Sequence, residues 1–190
     1  MVNLYPVSSS VVTITLPRRL VEEIESMGLD LVDVIVNALS GNVDPSLTSE
    51  ARIVLAERYL EEAREYIAKG DAIQASEKMY NVVEECIKAL AETLNTPEVQ
   101  EARKNGRWFT WLLGEAAKSI TDRLSEPVAL EAWAIAYDIH VWGFHEAKYN
   151  IGRVMAGLKL CRTATKSHEA DPWPCEVMLL SRFAKNYFNY

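Results

Sequence analysis

Five side chains on two segments have the types and spacing that best suit chemistry: Glu77, Lys78 and Tyr80 on one, His140 and His145 on the other. In a helix, Glu77 stands one turn from Tyr80 and Asn81 and two turns from Glu84. A carboxylate, an ammonium and a phenol beside an apolar stripe can hold a polar ligand. The competing reading is a solvated helix edge, with Gln74 as a cap. Imidazole is the side chain that exchanges a proton near neutral pH, so the two histidines are the candidates for acid–base work. Five residues of α-helix would place them about 140° apart around the axis, which argues against a shared metal site. His140 falls on the face of Trp133, Tyr137, Phe144 and Ala147, the setting of a buried, hydrogen-bonded histidine. His145 groups with Asp138, Trp142 and Tyr149, so that a carboxylate two turns away would orient its ring.

Other kinds of chemistry have thinner support. Lys148, Arg153, Lys159, Arg162 and Lys166 occupy a stretch with no acidic residue between Glu146 and His168. Such a patch suits a phosphate, and equally suits the negative end of a helix dipole. There is no glycine-rich phosphate loop, serine elbow or cysteine–histidine arrangement. Cys86, Cys161 and Cys175 are odd in number and widely spaced, which fits neither a disulfide framework nor zinc. No cofactor and no metal are expected. The net charge of −7 argues against DNA, whose affinity rests on clustered lysine and arginine.

The elements that must position these groups follow from periodicity. With 190 residues, 49% of them hydrophobic, the chain can bury one good core with a small appendage. No apolar run is long enough for a membrane span, and the N-terminus MVNLYPVSSS lacks signal-peptide features, so a cytoplasmic protein is expected. Residues 11–16, VVTITL, alternate as a short strand stopped by Pro17, and two short helices follow over 18–27 and 30–39. The turn cluster Gly41-Asn42 and Asp44-Pro45 divides this N-terminal unit, 1–45, from a main domain over 46–166 and a tail over 167–190.

In the main domain, a helix over 47–69 ends at Gly70 and a second over 72–94 begins behind an Asp71 cap, an antiparallel hairpin. Thr96-Pro97 starts a short helix, and another spans 108–124. Ser125 is expected to cap one long helix running to about Cys161, with Gly143, Gly152 and Gly157 permitting close packing. From Val128 to Trp142 it is apolar nearly all round, which predicts burial on two sides and a homodimer. In the tail, Val177, Leu180, Ala184 and Phe188 recur at helical spacing behind Asp171-Pro172-Trp173-Pro174.

The stretch 55–92, LAERYLEEAREYIAKGDAIQASEKMYNVVEECIKALAE, resembles the signature hairpin of the archaeal PaREP family. The run from Trp133-Ala-Ile-Ala-Tyr137 through His140 to Phe144-His145-Glu146 resembles that family's last long helix, and the likeness covers roughly residues 20–160. What the resemblance implies is a fold similar to HEPN domains, helical bundles that often dimerise and in many cases bind nucleotides or cleave RNA. The ribonuclease members carry an arginine four to six residues before a histidine. Here no arginine precedes His140 or His145 at that distance; Arg162 and His168 fit by count but lie past the family-like region.

The sequence therefore reads as a mainly α protein, an up-and-down four-helix, HEPN-like bundle with a small N-terminal strand-helix-helix unit. The function it fits best is a dimeric, non-enzymatic binding module for a nucleotide, RNA or protein partner, using Glu77, Lys78, Tyr80, His140 and His145. One alternative is a metal-independent ribonuclease with His140, His145 or His168 as acid or base. Another is a ribbon-helix-helix regulator reading DNA through Thr13 and Thr15. Residues 1–50, with two arginines against seven acidic residues, carry the wrong charge for that role.

Overall fold

The structure is a computed structural model and describes residues 14–27, 29, 31–39 and 45–159. All regular structure among them is helical: α1 (Arg18–Ser26), α2 (Leu31–Leu39), α3 (Pro45–Lys69), α4 (Ala72–Leu94), α5 (Pro97–Asn105), α6 (Thr110–Leu124), α7 (Val128–Ile139), a π-helical segment (His140–His145) and α8 (Ile151–Lys159). The all-helical bundle agrees with the sequence reading. Of the expected strand, Ile14 to Leu16 have no regular structure and residues 11–13 lie outside the described residues. So do Cys161, Cys175, the Arg162-to-His168 spacing and the expected tail helix.

The α3–α4 hairpin forms as its turn residues dictate. Gly70 adopts φ +74°, which only glycine takes without strain, and the Asp71 carboxylate accepts a hydrogen bond from the Gln74 backbone N–H at 3.0 Å. Helix α4 is the axis of the bundle, touching α3 on one side and α5, α6, α7, the π segment and α8 on the others. Its burial is correspondingly complete, with Val82, Val83, Cys86, Ile87, Ala89, Leu90 and Ala91 all inaccessible. Cys86 is a free, buried thiol whose ionisation burial pushes strongly upward. Helix α3 contributes Ile53, Ala56, Leu60 and Ala63; α6 and α7 close the core with Leu113, Ala116, Ala117, Ile120, Ala129, Ala132, Trp133, Ala136 and Ile139.

The final helix departs from expectation in three ways. Ser125 does not cap it; with φ 56° it terminates α6 in the left-handed region. The helix is not continuous either: it passes into a π segment at His140, breaks after His145 where Ala147 takes φ 49°, and resumes as α8. Nor is it buried all round, for Leu130, Tyr137 and Trp142 are 42–46% exposed. The all-round burial belongs to α4, because a helix whose two flanks both meet neighbours lies at the centre, whatever its periodicity.

Candidate functional site

Where the N-terminal half of α4 meets the π segment, four of the five expected site residues come together. Tyr80 reaches out from α4, and the His140 ring stacks on it with centroids 4.0 Å apart and planes 22° from parallel. Trp133 lies on the other side of Tyr80 at 5.7 Å, and Phe144 stacks against His140 at 5.5 Å. His145 meets the His140 ring edge-on, 4.4 Å away. Glu77, one turn before Tyr80, faces this group closely enough that its ionisation feels His145.

The contact between the histidines reverses the expectation that five residues keep them on different faces. In a π segment the bonds run i→i+5, as from the Glu146 N–H to the Val141 carbonyl at 2.9 Å, so the turn is wider and residues five apart align. Gly143 brings that segment onto α4: a Cβ there would lie 2.1 Å from Ser76 Oγ and 2.8 Å from Ser76 Cβ. Any side chain at 143 would force the two backbones apart. The rotation also undoes the expected His145–Asp138 pairing, since Asp138 accepts a hydrogen bond from the Tyr149 hydroxyl at 2.9 Å instead.

Electrostatics distinguish the members of the cluster. Burial, reinforced by His145, holds the His140 imidazolium down to about 4, so at neutral pH the ring is neutral. Burial raises the Glu77 carboxyl above its ordinary value; Lys78 and His145 oppose that shift without cancelling it. Burial, then the nearby Glu84 charge, drives the Tyr80 phenol strongly upward, so it stays protonated. His140 Nδ1 and Glu77 Oε2 are buried and have no hydrogen-bond partner among the described residues. A neutral imidazole nitrogen and a carboxyl oxygen without partners can give or accept a hydrogen bond from a ligand at little desolvation cost beyond that already met in folding.

Lys78 does not join them. It turns toward α3, 2.8 Å from Glu62 Oε2 and over the Tyr59 ring at 5.1 Å, so it ties the hairpin together. Among the described residues, no three histidine, cysteine, aspartate or glutamate side chains are grouped to hold a metal ion. No helix among them is long and apolar enough to cross a membrane.

Further along α4 lies a second polar cluster that periodicity does not announce. Arg52 of α3 and Lys88 of α4 are almost wholly inaccessible. Two carboxylates bridge them: Asp33 of α2 lies 2.9 Å from Arg52 Nη1 and 2.9 Å from Lys88 Nζ, and Glu85 lies 3.0 Å from each. Glu92 adds 2.9 Å to Arg52 Nε, and Glu84 adds 2.7 Å to Lys88. Burial opposes both cations, but the surrounding carboxylates outweigh it and raise the pKa of each. Burial likewise works against the Asp33 carboxylate, yet Lys88 and Arg52 hold it below its usual range. Glu84 is pushed upward, burial exceeding the help from Lys88. In the sequence, Glu84-Glu85-x-x-Lys88 looks like an ordinary surface i,i+3/i+4 pair. The one clue is that Lys88 sits between Ile87 and Ala89 in an otherwise apolar half-helix.

The archaeal PaREP1/PaREP8 family model matches residues 51–162. A crystal structure of a protein from Sulfolobus solfataricus is similar at 34% identity with a TM-score of 0.56, covering 70% of this chain and 96% of the other. No curated protein matches.

Proposed function

Because the chain belongs to the archaeal PaREP1/PaREP8 family, whose bundle resembles HEPN domains, we propose that it is a binding module for a nucleobase-bearing ligand, a nucleotide or an unpaired base of RNA. The observation that supports this is the cluster on α4 and the π segment: a stack of Trp133, Tyr80, His140 and Phe144 flanked by the unpartnered polar atoms of His140 and Glu77. Planar rings recognise the face of a base, and stacking contributes about 1–3 kcal/mol per base. A neutral imidazole and a carboxyl group kept partly protonated can read its edge, which carries both donors and acceptors. The reading further takes the protein to be a homodimer, joined through the exposed Leu130, Tyr137 and Trp142 side of α7 and the π segment.

The test is NMR titration of the full chain with adenosine monophosphate and a short RNA oligomer, observing the His140 and His145 ring protons. Those signals are expected to move. Glu77→Ala and His140→Ala should weaken binding at least tenfold, and Lys78→Ala should leave it unchanged. Binding unaffected by both site variants would overturn the reading.

The contact between His140 and His145, beside a carboxyl of raised pKa, also favours a second reading: metal-independent acid–base cleavage of RNA at the same place. Cleavage by freshly purified protein that disappears in His145→Ala, while RNA binding persists, would select it.

A further inference from the structure

Within the buried ionic ring, Asp33 differs from the other members in origin. Arg52, Glu85 and Lys88 lie among residues 51–162 that match the family, whereas Asp33 is on α2, outside them. Little else fastens that helix. No described residue of α1 or α2 belongs to the hydrophobic core, and Leu20, Met27, Ile35 and Leu39 are 43–61% exposed. Yet the Asp33 carboxylate is itself buried, each oxygen 2.9 Å from a different cation. The α3–α4 hairpin thus presents two inaccessible cations set for one bridging carboxylate, and an appended helix supplies it.

We propose that the Arg52–Lys88 pair is a carboxylate-binding site that α2 fills in cis, and that an acidic side chain of a protein partner occupies it when α2 swings out. Two observations define the ligand as a single carboxylate. The cations lie on opposite oxygens of Asp33, which matches two charge-assisted hydrogen bonds to one planar group. Without Asp33, Arg52 and Lys88 still face Glu84, Glu85 and Glu92, so there is no surplus positive charge for a phosphate dianion. The partner needs a flanking surface of its own, because a tethered Asp33 competes at high effective concentration.

The proposal is tested on the full chain carrying Asp33→Ala, melted in sodium acetate and in sodium chloride of equal concentration. The variant should lose roughly 6–20 °C in melting temperature, since it leaves buried charge unbalanced. Acetate should restore at least half of that loss and chloride none of it. Equal effects of the two salts would overturn the site. Should Asp33→Ala fail to fold, Asp33→Asn, which keeps the shape and one acceptor, is put through the same pair of salts with the same expectation. Exchangeability is read separately by hydrogen exchange on the unaltered protein. The α2 amides should exchange at least tenfold faster than those of Val83 to Leu90, through opening of α2 alone. Exchange of both at one rate would show that α2 is an integral part of the core and not a plug.

Discussion

Lys88 and His140 both carry polar atoms into the interior along α4, and the protein treats them in opposite ways. Lys88 is fully buried, with three carboxylates within 3.0 Å. His140, stacked on Tyr80 about 12 Å away along the same helix, is half-buried and has a ring nitrogen with no partner among the described residues. The first arrangement keeps its charges by pairing them. The second keeps its polar groups neutral: burial lowers the imidazole and raises the Glu77 carboxyl. Paired charges have little left to offer a ligand unless one member is replaced, whereas neutral, unpaired groups are available at once.

The comparison breaks most sharply at Lys88. Replacing it with methionine should cost about 3–5 kcal/mol in urea unfolding, because Asp33, Glu84 and Glu85 lose their shared cation. A loss below about 1 kcal/mol would mean that water already reaches the ring. Ile87→Ala, on the apolar side of the same turn, is expected to cost about 2–5 kcal/mol through the cavity it leaves, as is Leu60→Ala across the hairpin. These two calibrate how much of the Lys88 effect is packing alone.

Gly143→Ala probes the other cluster and should cost about 1–3 kcal/mol, since the new methyl would lie 2.1 Å from Ser76 Oγ. Its diagnostic signature is separation of the two imidazoles, read as loss of nuclear Overhauser contacts between them. Ser76→Gly in the same chain should restore those contacts, because it removes both clashing atoms.

Acidification sharpens the comparison with a smaller effect. His140 is held at about 4 in the folded chain against 6.5 ordinarily, so between those values the unfolded chain binds more protons. Stability from this group is complete above pH 6.5 and is lost progressively as pH falls toward 4. His140→Phe, which keeps the ring stack, should flatten that part of the profile. Asp33, whose pKa lies below the usual carboxylate value, keeps its contribution until the pH is lower still, so the ionic ring gives way after the histidine cluster. The smallest effect belongs to Lys78→Ala, about 0–1 kcal/mol, as expected for a partly exposed pair with Glu62.

Much of the scaffold was legible in the residues themselves. The Gly70 stop, the Asp71 cap and the run of Met79, Val83, Cys86, Ile87, Leu90 and Leu94 determined the hairpin, because caps and 3.6-residue periodicity are local properties of one chain segment. The chemical character of Glu77, Tyr80, His140 and His145 could be read the same way. That the two histidines meet could not, for it depends on a π turn that only pays where Gly143 settles against Ser76 on another helix. Local spacing was likewise silent on Arg52, Lys88 and Asp33, which come from three helices and look solvated when each is taken alone. Periodicity determined which residues form helices; only the packing of those helices decided which charges were buried, which found partners, and which were left open to a ligand.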